Sequence, residues 1–418
     1  MRLIVDWHIH SKYSRACSKD LELPTIAKWC ERKGIQIVTT GDWTHPKWFE
    51  EIKRLLEETS QGMYQLRDHS SPTRFMLTQE VSQIYKQGEK TRRIHNLLFS
   101  PSIETCEKVN TMLVTQGFNV KSDGRPILGI SSEELYKRLK EIDERIMVVP
   151  AHAWTPWFSV FGSKSGFDSL EECFGSMTPY IYALETGLSS DPPMNRRISA
   201  LDHLTIISNS DAHSCHKLGR EANVFDLKEE EISYDTFVEI LRTGDAKRFL
   251  YTIEFHPEEG KYHADGCAAC KFSCIPSESK RLGLRCPSCK KLLTLGVNHR
   301  VEALADRADG SPRGIPHKYI VPLEEVLAEA FGVASASSKK VIAEYDRLTT
   351  QVADEFTLLL DTPLEQIAAC ATNRNVVEAI HRMRSGEMYI QPGYDGIFGI
   401  VKIFSPEEKK IAKQSVLL

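Results

Sequence analysis

The chain is expected to open with an α/β unit, a ring of strands and helices with its chemistry at one rim. A small four-cysteine zinc module and a mostly helical C-terminal domain follow it. Three observations predict this order: short β-branched runs alternate with amphipathic helical patterns, polar residues gather where those runs end, and two Cys-x-x-Cys pairs stand just beyond them. The expected boundaries are 1–255 for the catalytic unit, 256–300 for the zinc module and 301–418 for the helical domain.

The first run, residues 3–7, ends in His8 and His10. On an extended strand residues i and i+2 share a face, so both imidazoles face one way and form half a metal site. The pattern then returns. Residues 35–40 lead to Asp42 and His45, residues 75–78 to Glu80, and His95 heads 97–99. Residues 146–150 end in His152, residues 180–184 in Glu185, and residues 204–208 in Asp211 and His213.

Helical patterns at 23–33, 48–58, 132–142 and 234–242 lie between several of these runs. Strands alternating with helices argue for parallel strands joined by right-handed crossovers. Nearly continuous apolar strands with polar residues only at their C-terminal ends are what a seven-stranded (β/α) barrel requires, because its strands are covered on both sides.

Any one of these residues could be a helix cap or a rim ion pair. Together they are all His, Asp or Glu, the nitrogen and oxygen ligands that suit zinc, manganese, iron or magnesium. Two or three divalent ions are therefore expected, held by His8, His10, Asp42, His45, Glu80, His95, His152, Asp211 and His213. Glu80 is suited to bridge two ions, and Asp211, Glu80 and His152 are expected to carry catalysis.

The loop after His152 is unusually aromatic and glycine-rich. Within it Trp154, Trp157 and Phe158 could stack on a base or wedge a duplex open, and Lys164 could meet a phosphate; a compact loop packed on its own side chains is the alternative. Arg196 on the 186–197 loop is a second candidate for phosphate. Residues 119–129, with Lys121 and Arg125, read as a solvated turn.

Cys267, Cys270, Cys286 and Cys289 have the spacing of a closed structural zinc site, which leaves no open position for catalysis. Around them Lys261, Lys271, Lys280, Arg281, Arg285, Lys290, Lys291 and Arg300 face only Asp265 and Glu278. The chain of 418 residues has a formal net charge of -4, so attraction to nucleic acid must come from this local patch or from bound cations. Eleven cysteines and no export signal favour reduced thiols and a cytoplasmic location, and no apolar run is long enough for a membrane. From 322 onward the periodicity is helical, with a turn at 393–396 before a strand-like run at 397–404.

The motifs His8-Ile9-His10, Asp42 with His45, Glu80, His95, His152 and 210–213 (SDAH) resemble those of the polymerase and histidinol phosphatase (PHP) superfamily. That resemblance implies a distorted seven-stranded barrel, a trinuclear metal centre and phosphoester hydrolysis. The second motif departs from the usual pattern, with Trp43 directly after Asp42, and Asp20 is the nearest candidate for a further early ligand.

Residues 8–20 (HIHSKYSRACSKD), 40–48 (TGDWTHPKW), 150–174, 251–270, 296–306 (GVNHRVEALAD) and 392–399 (PGYDGIFG) are more closely similar to the endonuclease Q family. This implies an endonuclease that nicks DNA on the 5′ side of uracil, hypoxanthine, xanthine or an abasic site. Its partners would be double- or single-stranded DNA with a deaminated base, and repair or replication proteins. A PHP small-molecule phosphatase and a non-catalytic DNA-binding protein remain the competing readings.

Overall fold

A computed structural model describes residues 1–310 and 314–408. Two compact units are resolved: one comprises 1–31, 35–254 and 295–318, the other 32–34, 255–294 and 319 onward. The first unit breaks at 254/255, and the segment after the four-cysteine module, 295–318, returns to it. The physical reason is Arg300, on the helix Val297–Leu304, which donates to the carbonyls of Phe161 (2.9 Å) and Phe167 (2.8 Å) and pairs with Asp168. Arg307 likewise grips Asp202.

In the first unit the central sheet runs in the order Phe249–Glu254, Ala222–Asp226, Arg2–Asp6, Ile37–Thr39, Arg74–Gln87. Arg2–Asp6 is parallel to Ile37–Thr39, which is parallel to Arg74–Gln87. The all-parallel expectation fails at the next strand. Arg74–Gln87 turns back at Gly88 (φ 60°) into Lys90–Ser100, an antiparallel hairpin that places Ser82 opposite His95. Lys90–Ser100 is also antiparallel to Met147–Pro150.

Ala183–Glu185 and Thr205–Ile207 form a separate parallel pair. Backbone bonds from Ala153 N–H to the Glu185 carbonyl (3.0 Å) and from His10 N–H to the Ala212 carbonyl (3.1 Å) join it to its neighbours, and Asn223 and Asn209 add side-chain bonds to Ser208 and Trp7.

Alternation along the strands builds the core. Leu3, Val5 and Trp7, Leu97 and Phe99, and Met147, Val149 and Ala151 all bury into one cluster. Trp7 meets Phe99 and Phe237 edge to face at 5.7 and 5.4 Å. Full burial of each such ring is worth roughly 2–3 kcal/mol.

Two expected elements shift. The second helix is Pro46–Leu55, not 48–58, because Pro46 is pre-set for the first helical turn and Leu56 turns extended to pair with Leu66. The strand expected at 397–404 is only Ile400–Lys402. The helix signalled by Ser405 and Pro406 is described only as far as residue 408; the rest of that expectation lies outside the described residues. The second unit otherwise carries the expected helices, among them Leu323–Phe331, Lys339–Gln351 and Arg374–Ser385.

Candidate metal centre

Six side chains converge. His8, His10, His152 and Asp211 come from just beyond strand ends, but Glu80 and His95 come from inside the long hairpin strands Arg74–Gln87 and Lys90–Ser100, against the expectation of strand ends throughout. His8, His10, Glu80 and Asp211 bring one ligand atom each within 4.8 Å of one another, and Glu80, His95 and His152 do the same. Glu80 is common to both groups. Its carboxylate lies 3.5 Å from His8 Nε2, 3.2 Å from His10 Nε2, 3.1 Å from His152 Nε2 and 2.5 Å from His95 Nδ1. Asp211 Oδ1 completes the first group at 3.6 Å from His8 and 3.1 Å from His10.

The backbone is held out of its usual range to achieve this. His152 (φ 32°) and Asp211 (φ 48°) both sit in the left-handed region, where a non-glycine residue persists only if its surroundings over-determine it. At His152 the determinant is Gly187: a Cβ there would lie 2.3 Å from the His152 Cβ. The backbone N–H of His152 is tied to Glu185 Oε2 at 2.7 Å.

Each of the two first-strand histidines has a carboxylate behind it. His8 Nδ1 faces Glu185 at 3.0 Å and His10 Nδ1 faces Asp42 at 3.2 Å. With Nδ1 donating, Nε2 is left as the lone-pair nitrogen on the inner side. His8 Nε2 is buried and has no hydrogen-bond partner, although two carboxylates stand near it. An orphaned nitrogen aimed at acidic oxygens is the signature of a cation site, so this donor set fits one or more divalent ions.

Burial would push the His8 imidazole down, but Glu185, Asp211 and Glu80 hold it well above its usual value; Asp211, Asp42 and Glu80 do the same for His10. In the ion-free chain the same carboxylates hold a proton on these two rings, in the place that a bound cation would take. Burial would raise Glu80 and Asp211, yet both are depressed: His95, Arg125 and His8 act on Glu80, and His8 and His10 on Asp211. His95 is pushed down to about 4 by burial, against the pull of Glu80. The carboxylates are therefore ionised and ready to accept a cation.

Several expected ligands lie outside these clusters. Asp42 is consumed as an acceptor from Ser11 N–H and the Ser11 and Ser14 hydroxyls, so it orients His10 from behind. His45 stacks on Tyr13 at 4.4 Å and its Nε2 faces the Lys121 carbonyl. His213 packs against His10 at 4.7 Å with its Nδ1 turned to the Asp211 carbonyl. Asp20 is exposed.

The expected DNA contacts also divide. Trp154 is 1% exposed and donates to Asn195 Oδ1 (2.8 Å), and Arg196 is 5% exposed and donates to the carbonyls of Leu201 and Leu204. Both side chains are buried, with Trp154 Nε1 and the two terminal nitrogens of Arg196 bonded inside the first unit. Trp157 is 49% exposed, with the Arg93 guanidinium 5.1 Å from its ring centre. Phe158 leans on His95 at 4.8 Å, and Lys164 is exposed.

Two residues were not legible as site residues. Glu185 ended a run of its own, and only the fold put it behind His8. Arg125 read as part of a solvated turn, but its guanidinium reaches Glu80 Oε2 at 2.9 Å. The signal available was Gly124 beside it: a Cβ at 124 would come within 2.3 Å of Asp42 Oδ2, so the loop must press onto the site.

In the second unit Cys267, Cys270, Cys286 and Cys289 form a four-thiol cluster, with Cys267 and Cys289 Sγ 3.8 Å apart. The antiparallel pair Asp265–Cys267 and Phe272–Cys274 presents the first two thiols, and Lys271 takes the left-handed turn between them (φ 52°). Backbone N–H groups of Cys289 and Ser288 draw the Cys286 thiol down to about 7. A cluster of four soft donors fits zinc.

Comparison with known proteins follows the same lines. Residues 322–387 match the family model of the MJ0043 C-terminal domain. The uncharacterized protein MJ0043 of Methanocaldococcus jannaschii is 29% identical over 270 residues, which are 64% of this chain and only 33% of that protein. The uncharacterized protein YqxK of Bacillus subtilis is 27% identical, with 96% of this chain and 99% of that one covered. Among solved structures, the lesion-specific endonuclease PfuEndoQ from Pyrococcus furiosus superposes with a TM-score of 0.84 at 30% identity, covering 98% of this chain and 99% of that chain. Endonuclease Q bound to a 27-mer duplex substrate with an abasic lesion at the active site gives 0.83 at 31% identity, with 98% of both chains covered. On this near-complete correspondence, the chain belongs to the endonuclease Q family.

Proposed function

We propose that this chain is a metal-dependent DNA repair endonuclease that hydrolyses the phosphodiester on the 5′ side of an abasic site or of a deaminated base, uracil, hypoxanthine or xanthine. The observation that carries the reading is Glu80, a buried carboxylate within 3.5 Å of four histidine rings and of the Arg125 guanidinium, in a chain matching endonuclease Q along 98% of its length. A distorted seven-stranded PHP-type barrel is the architecture we assign to the first unit.

His8, His10, Glu80 and Asp211 would hold one divalent ion and Glu80, His95 and His152 another, with zinc, manganese, iron and magnesium all compatible with the donors. Ions bound there would polarise the phosphoryl oxygens and acidify a water. The chain's own groups do the rest. Glu185 and Asp42 fix the imidazoles with Nε2 inward. Arg125 offers a guanidinium for a non-bridging phosphoryl oxygen, where its fork suits bidentate pairing.

A lesion inside a duplex must be flipped to reach a buried rim, which costs least where the base is missing or mispaired. Trp157, held by Arg93 at the mouth, is suited to fill the gap, and Lys164 to meet the backbone. The four-cysteine zinc module would contribute a structural ion.

The test is nicking of an end-labelled duplex with one abasic site, deoxyuridine or deoxyinosine, with manganese or magnesium present. A single lesion-dependent nick on the 5′ side, absent with undamaged duplex and with Asp211→Ala, is expected. Hydrolysis of a free phosphomonoester without any nick would replace this reading with a small-molecule phosphatase.

A further inference from the structure

The motif 392–399 takes no part in the metal centre. In the second unit it is a loop fastened to the zinc module by its backbone. Gly393 N–H donates to the Glu258 carbonyl (2.8 Å), Ala264 N–H to the Gly393 carbonyl (2.9 Å) and Gly396 N–H to the Lys261 carbonyl (3.0 Å). Asp395, in the left-handed region at φ 46°, accepts from the Ala268 N–H at 2.7 Å and the Thr294 hydroxyl at 2.5 Å. The Tyr394 ring lies where a Cβ on Gly266 would come within 2.4 Å.

A loop tied down this firmly has a rigid tip, and the tip is apolar. Phe398 is 62% exposed, Ile397 40%, and Tyr262 on the adjoining segment 42%. The Lys261 ammonium lies 4.4 Å from the Phe398 ring centre, in cation–π range. Glu258 and Glu259 anchor the loop through their carbonyls, and beyond them the charge of the segment is one-sided. Between 260 and 294 there are seven Lys and Arg residues, all exposed, against Asp265 and Glu278, and Asp265 is buried and bonded to the Ser279 hydroxyl.

We infer that this tip is a nucleobase-stacking contact: an unpaired base of DNA lies on Phe398 or Tyr262 while the neighbouring phosphates meet Lys261 and the cations of the zinc module. The inference rests on the DNA reading above and names the surface with which the second unit engages a strand. Exposed aromatics supply a π-face that any base can use, and the excess of cations tracks a backbone. A protein partner would use the apolar tip but leave those cations unanswered, since charged residues are depleted in protein–protein interface cores. A fully stacked duplex offers no base face, so the contact is selective for single-stranded or locally unpaired DNA.

The experiment uses the full chain, zinc-loaded, with fluorescence anisotropy on a labelled oligothymidine and on a fully paired duplex. Phe398→Ala is expected to weaken oligothymidine binding roughly 5- to 100-fold while leaving duplex binding nearly unchanged. Phe398→Trp restores it, and Phe398→Leu, apolar but without a π-face, does not. Lys261→Ala lowers the slope of log affinity against log salt by about 1. Equal zinc content and melting temperature in all variants exclude misfolding.

Equal affinity of wild type, Phe398→Ala and Phe398→Trp for oligothymidine overturns the inference, as does full binding by Phe398→Leu. If Phe398→Ala binds like wild type and still nicks an abasic duplex, the stacking contact alone falls. If wild type binds no DNA at all, the endonuclease reading falls with it.

Discussion

Replacing Glu185 by glutamine tests the central geometry without touching any of the six converging side chains. The Glu185 carboxylate accepts three donors: His8 Nδ1 at 3.0 Å, the His152 N–H at 2.7 Å and Asn209 Nδ2 at 2.9 Å. Oε1 serves Asn209 and His8, and Oε2 serves His152 and, at 3.1 Å, His8. An amide has one acceptor oxygen, so its NH2 must face at least one of these donors in either orientation.

At least one charge-assisted bond is therefore lost, worth about 1.5–3 kcal/mol. Expressed in metal binding, that is a factor of about 10–100, the range typical for a group that orients a metal-ligating histidine. Metal affinity is read by chelator competition, with the ion of the four-cysteine cluster as an internal standard that Glu185→Gln leaves occupied. Nicking of an abasic duplex at fixed sub-saturating manganese should fall in proportion and recover at high manganese. Unchanged affinity and rate in Glu185→Gln would refute the claim that this carboxylate sets the His8 ring.

Four further outcomes are expected. Glu254 is buried beneath the Ser208 and Thr252 hydroxyls, and burial pushes its carboxyl from 4.5 up to about 8. The folded chain therefore keeps a proton that the unfolded chain releases, and stability is lost as pH rises from about 4.5 to 8. Glu254→Gln escapes this loss, so its advantage in chemical denaturation should grow across that window to ~5 kcal/mol; a pH-independent difference would contradict the assignment. Gly187→Ala puts a Cβ at a φ of 60° against His152 and should destabilise the fold by ~2 kcal/mol or more while cutting nicking at equal folded fraction. Cys286→Ser should lose the ion held by the four thiols of the second unit, seen by metal analysis, with any ions at the Glu80 clusters retained. Trp157→Ala should leave hydrolysis of a small phosphodiester unchanged while weakening lesion-duplex binding by ~1–3 kcal/mol, measured by anisotropy.

Most of the chemistry was written in the chain itself. His8 and His10, Glu80, His95, His152 and Asp211 could be found because each ends or heads an apolar run, and the four cysteines because a closed zinc site demands that spacing. Type and order of the helices were likewise local matters of periodicity and caps, as at Ser131 before Ser132–Ile142 and Ser338 before Lys339–Gln351.

Tertiary structure decided which polar residues face the centre and which stand behind it. Asp42 and Glu185 are both carboxylates at strand ends, and nothing local distinguishes an orienting group from a ligand; that depends on whether the nearest imidazole offers Nδ1 or Nε2. Trp154 and Trp157 are three residues apart in one loop, yet one is an internal prop and the other an exposed ring, because Asn195 lies within reach of the first alone. Arg125 entered the centre for the same reason in reverse, through a close backbone approach that only glycine at 124 permits. Sequence determines what each residue can do; long-range packing, which sequence spacing does not encode, determines which neighbour it does it with.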